Sequence, residues 1–280
     1  MFNSDEEVIQ SWINSKRTAT AQAYAFESRR FIRFLGDRRL ADIGILDAQA
    51  FADTLPAHVS TRNRAVSAIR SLYAFGCAYG YLSQNPIAVL QLAPIRDTLH
   101  ERILSPEEVE AIVKAEIRPR VRLLIRLIYF GGFRISEAVE LQWSAVQARG
   151  DVASAQVTVF GKGGKTRTVL LAPDIGLELI ELTKTKTRSD FIFATRTGNH
   201  LDRGSAWRLV RDATRKAGID RPVSPHWFRH AHATHALKNG ADLKLIQETL
   251  GHSSIETTGR YVHNSPGESS SQFLTMKSNT

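Results

Sequence analysis

One cysteine, Cys77, is all the thiol this chain of 280 residues contains. No internal disulfide can form, and there is no cysteine cluster to close a structural zinc site. Cys77 lies within a helical pattern and reads as a small core residue, in keeping with a reducing interior. Long apolar runs are missing too. Nothing approaches the ~18–20 uninterrupted apolar residues of a membrane span. The opening stretch, MFNSDEEVIQSW, is acidic where a secretory signal would be basic and then apolar, so a cytoplasmic protein without a membrane partner is expected. Acidic residues are in short supply: 28 Asp and Glu face 37 Lys and Arg, a formal net charge of +9. The basic residues are spread along the chain instead of forming a tail. That suits a nucleic-acid groove, and it also suits plain solubility.

At this length two domains are the default. Ser4-Asp5-Glu6-Glu7 and Ser105-Pro106-Glu107-Glu108 both read as capping boxes, with Glu three residues after Ser, and both mark starts. Residues 1–90 read as all-helical. TATAQAYAFESRRFIRFLG puts Tyr24, Phe31, Ile32 and Leu35 on one face and Arg29, Arg30 and Arg33 on another. STRNRAVSAIRSLYAFGCAYGYL repeats the design, with Val66, Ile69, Leu72, Tyr73 and Phe75 set against Arg62, Arg64 and Arg70. Such helices can pack inward and meet phosphates outward, or be ordinary surface helices. A linker is expected over 91–103, a second unit over 104–263 and a Ser-rich tail over 264–280. Within the second unit, ASAQVTVFGKGGKTRTVLLAP alternates on both sides of a glycine turn, as a β-hairpin does. DFIFATRTGNH reads as a short strand and turn. The fold expected is mainly α with a small antiparallel sheet, an α+β class.

Four stretches carry possible chemistry. GKGGKT fails as a nucleotide loop, because the P-loop pattern needs Gly where Val159 stands and a helix after the turn. GGFRISEA places Arg134 at a helix start with Glu137 three residues on. HWFRHAHATH puts His226, Arg229 and His230 on one helical face. A zinc protease would need Glu where Trp227 stands, and a histidine–arginine face suits a phosphate better. TLGHSSIETTGRYVH brings a helix stop at Gly251, then His252, then Tyr261. Alone, it also resembles a helix-turn-helix.

In order, Arg134, Lys162, His226, Arg229, His252 and Tyr261 resemble the tyrosine recombinase family, the phage integrase and Xer-like enzymes. The contexts GGFRISEA, FGKGGKTR, HWFRHAHATH, LGHSS and GRYVH carry the resemblance, which spans nearly the whole chain. It implies a helical core-binding domain over 1–90, a catalytic domain over 104–263, and no arm-binding domain in front. It further implies a site-specific recombinase acting through a 3′-phosphotyrosyl intermediate. Tyr261 would be the nucleophile, Arg134 and Arg229 a phosphate clamp, and Lys162 the acid for the leaving oxygen, with Lys165 its neighbouring rival. His226 would be the acid/base partner and His252 a phosphate donor. Glu137 would brace the cluster and His230 would support it, while His232 and His235 read as ordinary helix residues.

The chemistry agrees. A covalent phosphoryl intermediate needs a nucleophile that belongs to the protein, and a tyrosine of pKa about 10 needs help to lose its proton. Two guanidiniums can stabilise the charge that develops on phosphate, so no metal or other cofactor is expected. The partners implied are a double-stranded DNA recombination site and a homotetramer in the synaptic complex, with room for a second recombinase. Arg208, Arg211 and Arg215, at i, i+3 and i+7, are the DNA-contact candidates of this unit; Arg62, Arg64 and Arg70 are those of the first. A type IB topoisomerase shares the chemistry, and a catalytically idle DNA-binding regulator would have no use for Arg134, Lys162 and Tyr261 together. SPGESSS after Tyr261 is poor helix material, which puts exchange of the tail between subunits in doubt.

Overall fold

A computed structural model describes residues 2–95, 100–151, 153–161, 166–183, 187 and 190–251. Lys162, Lys165, His252, Tyr261 and the tail lie outside them. The chain divides into two compact units, Met1–Asp97 and Thr98–Thr280.

The first unit is helical: α1 (Asp5–Asn14), α2 (Thr18–Leu35), α3 (Ile45–Asp53) and α4 (Val59–Ala78). The Ser4 hydroxyl accepts from the Glu7 N–H at 3.2 Å, while the Glu7 carboxylate reaches Asn3 N–H instead of Ser4. The first capping box therefore closes one residue early. Trp12, Phe31, Phe51, Leu72 and Tyr73 fill the core. Ile32 does not join them; it is exposed, because the buried face of α2 runs through Glu27, Ser28, Phe31 and Leu35. A fully buried Glu27 is tolerable because Arg64 donates twice to one of its oxygens, at 3.2 and 3.0 Å, and Arg30 to the other at 3.0 Å. Arg70 donates to the carbonyls of Ile87 and Leu90, pinning the turn after α4. Arg62 faces Asp53 at 3.5 Å. Each of the three first-unit candidates for DNA contact thus has an intramolecular partner.

The second unit opens with α5 (Pro106–Ala115), whose capping box is complete: Glu108 N–H to Ser105 Oγ, and Ser105 N–H back to the Glu108 carboxylate at 2.8 Å. The apolar run that follows divides at Gly131-Gly132 into α6 (Pro119–Phe130) and the short α7 (Ile135–Val139). Then come β1 (Val146–Arg149), β2 (Ser154–Phe160) and β3 (Thr166–Leu170), an antiparallel sheet in that order, with Val157 opposite both Val146 and Val169. The β2–β3 hairpin is the expected one. The sequence reading did not pick out β1, whose four residues are too few to show an alternation. DFIFATRTGNH forms isolated bridges in place of a regular strand.

Helices α8 (Pro173–Thr183), α9 (Arg203–Lys216), α10 (Pro225–Lys238) and α11 (Leu243–Leu250) follow among the described residues. The buried α6, with Leu123, Leu124, Leu127 and Ile128, lies at the centre of the core, and α10 packs along it through Phe228 and Ala231. No helix among the described residues is long and apolar enough to cross a membrane.

Candidate active site

Arg134, Glu137 and Arg229 meet where the start of α7, the first turns of α10 and the end of α11 converge. The two glycines before Arg134 make the approach possible. Gly132 sits at φ +61°, and a Cβ there would stand 2.7 Å from Leu250 Cδ2 on α11 and 3.0 Å from His232 on α10. Only a residue without a side chain fits that conformation and that gap. Arg134 is then the N-cap of α7 with extended backbone, and its N–H donates to Glu137 Oε2 at 2.8 Å.

Glu137 is the hub. Its carboxylate accepts from Arg134 Nη1 at 2.7 Å, and from Arg167 Nη1 and Nη2 at 3.0 and 2.7 Å, while Arg229 Nη1 stands 3.9 Å away. Burial pushes its pKa up. The hydrogen bonds from Arg167 and Arg134, with the charge of Arg167, outweigh that and hold it at about 2. Glu137 is therefore a permanent anion at neutral pH.

The end of α11 is the second anchor. Helix C-termini expose carbonyls with no intrahelical partner and carry partial negative charge. Here Arg167 Nε donates to the Thr249 carbonyl at 2.6 Å, Arg229 Nη2 to Leu250 at 2.5 Å, and Arg134 Nη2 to Gly251 at 3.4 Å. Gly251, left-handed at φ +63°, ends the helix as expected and leads directly to His252. Three consecutive carbonyls thus receive three different arginines.

The arginines differ in access. The side chain of Arg134 is 34% exposed, that of Arg167 11% and that of Arg229 1%. Arg134 faces solvent, whereas Arg229 is covered in this conformation and also donates to the Gly132 carbonyl. A ligand reaching Arg229 must displace what covers it.

His226 opens the same helix that carries Arg229, with Pro225 at its first position. It keeps part of its surface in solvent, and its ring meets His230 edge-on at 4.3 Å between centroids. Crowding by protein atoms, then the charges of Arg229, Arg134 and Arg102, all push its pKa down, to about 4. At neutral pH the imidazole is neutral and can accept a proton. His232 lies against Gly132, and the Nδ1 of His235 pairs with the Tyr129 hydroxyl at 2.9 Å. Both behave as packing residues of α10. Among the described residues, no three His, Cys, Asp or Glu side chains are grouped to hold a metal ion.

On α9, Asp202 caps the start, accepting from Ser205 N–H at 2.9 Å. Arg208, Arg211 and Arg215 then follow away from the buried Ala206, Val210 and Ala213. Arg211 lies over the partly exposed Trp207 ring, 5.3 Å from its centroid. Behind them, Arg118 and Lys216 bridge the buried Glu116 and Asp212, tying α9 to the segment before α6.

The sequence profile of the phage integrase family matches residues 102–268. The chain belongs to that family. It is a tyrosine recombinase, an enzyme that cuts and rejoins DNA in site-specific recombination. The recombinase is 30% identical over 266 residues to tyrosine recombinase XerD of Staphylococcus saprophyticus, covering 87% of each chain. It has the fold of the XerH recombinase bound to its difH substrate before cleavage. That match has TM-score 0.69 and 22% identity over 86% of this chain and 75% of the other. It also has the fold of the lambda integrase tetramer on a Holliday junction, with TM-score 0.70 and 21% identity over 90% and 78%.

One member of the cluster was not legible as such. Arg167 lies in the alternating strand after the turn, where it reads as one of several polar residues. Only its position opposite the end of α11, a contact 82 residues away, reveals it.

Proposed function

We propose that Tyr261 attacks a phosphodiester of double-stranded DNA, forming a phosphorus–oxygen bond to the 3′ side while the bond to the 5′ oxygen breaks. The tyrosyl proton passes to His226, whose low pKa a bound phosphate would raise towards that of a useful base, and Lys162 protonates the departing 5′ oxygen. Arg134 and Arg229 hold the non-bridging oxygens, with His252 donating beside them. Rejoining runs the same steps backwards with the 5′-hydroxyl of the partner strand. The observation that carries this reading is the convergence of Arg134, Arg229 and Glu137 at the end of α11, one residue before His252. Preorganised positive charge of this kind stabilises the charge that develops on phosphate.

The choice of nucleophile is supported by the other tyrosines. The chain has six, and only Tyr129 and Tyr261 belong to the second unit. Tyr129 is engaged with His235, and burial raises its pKa, which makes it a poor nucleophile.

In this reading residues 1–90 are a core-binding domain, 91–103 a linker, 104–263 the catalytic domain and 264–280 a tail. The protein works in the cytoplasm as a homotetramer on its DNA site, alone or with a second recombinase. Arg208, Arg211 and Arg215 face the DNA from α9, and Arg62 and Arg64 from the first unit. Arg70 stands with them, two of its nitrogens also holding carbonyls of the turn after α4.

The test is covalent capture. Nicked duplexes, whose short 5′-hydroxyl fragment diffuses away after cleavage, are incubated with the protein and denatured. Adducts that disappear with Tyr261→Phe are expected. DNA binding with no adduct would favour an idle regulator, and relaxation of any supercoiled plasmid irrespective of sequence would favour a topoisomerase.

A further inference from the structure

We propose that Arg167, on β3, is a positioning residue of the recombination reaction: it locks Glu137 to the end of α11 and thereby aims Arg134 at the scissile phosphate. The inference rests on the reading of Arg134 as a phosphate ligand.

All three nitrogens of the Arg167 guanidinium are engaged. The two Nη atoms take both oxygens of Glu137, at 3.0 and 2.7 Å, and Nε takes the Thr249 carbonyl at 2.6 Å. The fork is nearly buried, so it is a strut and not a free phosphate donor. The two groups that it joins are those that orient Arg134. One Nη of Arg134 is held by Glu137 at 2.7 Å and the other points to the Gly251 carbonyl at 3.4 Å. Gly251 in turn lies against the strut. A Cβ there would stand 3.1 Å from Arg167 Cδ and 3.2 Å from its Nη1.

Charge leads the same way. Arg134 and Glu137 alone would form a neutral pair, turned inward at hydrogen-bond distance. Arg167 supplies the carboxylate with its own bidentate cation. With Arg229, three guanidiniums then share one anion, and the cluster keeps a surplus of two positive charges. Without Arg167 the surplus is one, and Glu137 leans more heavily on Arg134 and Arg229. Lysine cannot replace the strut, since an ammonium is a point donor and cannot span Glu137 and Thr249 in one plane.

The experiment compares single-turnover cleavage of two nicked duplexes of the captured sequence. One has a natural scissile phosphodiester. The other is a methylphosphonate, in which methyl replaces a non-bridging oxygen and the charge is gone. Wild type, Arg167→Met, Arg167→Lys and Arg134→Ala are measured on both, and a phosphodiester-to-methylphosphonate rate ratio is taken for each. Arg167→Met is expected to lose about 10²-fold on the phosphodiester, the scale of a misplacement near 1 Å. On the methylphosphonate it should stay close to wild type, so that its ratio falls as that of Arg134→Ala does. Arg167→Lys should fall between, and it carries the test if the Met variant does not fold. Equal losses on both substrates would mean that Arg167 only supports the fold, and no loss would remove it from the reaction; either result overturns the inference. An unchanged ratio in Arg134→Ala would overturn the underlying reading instead, as would a wild type that traps no DNA.

Discussion

Glu137 shows how one residue can decide both stability and chemistry. Its carboxylate is buried among three arginines, so its removal leaves cations without their anion. Glu137→Ala should cost about 3–5 kcal/mol, the range for breaking a buried ion pair, and urea unfolding at neutral pH would measure it. Acid should do the same gradually. A carboxyl whose folded pKa lies near 2, below its ordinary 4.5, contributes stability above 4.5 and loses it as pH falls towards 2. Glu116, held down near 2 mainly by its hydrogen bonds from Arg118, loses its share in the same window. Urea midpoints should therefore drop across pH 4.5 to 2, less steeply in Glu137→Gln; a slope unaltered by that substitution would remove Glu137 from the acid transition. His226 gives the complementary reading. Crowding first, then the charges of Arg229, Arg134 and Arg102, hold its pKa near 4, and a bound DNA phosphate that offsets those charges should raise it. Imidazole resonances titrated with and without captured DNA would show the rise, and an unmoved midpoint would place the phosphate elsewhere.

At the scale of elements, the site depends on α7, α10 and α11 approaching within a glycine's width. Gly132→Ala adds a methyl where 2.7 Å is left and forces a left-handed alanine. A loss of about 1–3 kcal/mol for the backbone strain alone is expected, with the clash added to it. A melting temperature equal to wild type would contradict the close packing. The same elements separate what was legible in the sequence from what was not. The caps at Ser4 and Ser105, the hairpin, the stop at Gly251 and the His226–Arg229 face all rest on local spacing, and local spacing is what a chain displays. Ile32 was misplaced because a buried Glu27, paired by a distant Arg64, turned the inner face of α2 away from the purely apolar stripe. The inward contacts of Arg64 and Arg70, on Glu27 and on two carbonyls beyond α4, leave no trace in the spacing. Arg167 was missed for the same reason. In each case the deciding partner lies 17 or more residues away, and periodicity carries no information about it.

At the scale of the whole molecule, a net charge of +9 and arginines on both units predict affinity for DNA that is strongly salt-dependent. Arg208→Ala should weaken binding and lower the slope of log K against log salt by about 1, one phosphate contact's worth. Unchanged affinity at moderate salt would remove α9 from the interface. The central claim is that the arginine cluster at the end of α11 serves a covalent step by Tyr261, and its most direct test is to find the bond. Trapped protein–DNA adduct would be digested with nuclease and trypsin, and the peptide bearing the nucleotide sequenced. That peptide should begin after Arg260 and contain Tyr261, and Arg134→Ala should yield far less of it. A nucleotide found on Tyr129, or on any residue of the first unit, would mean that Tyr261 is not the nucleophile.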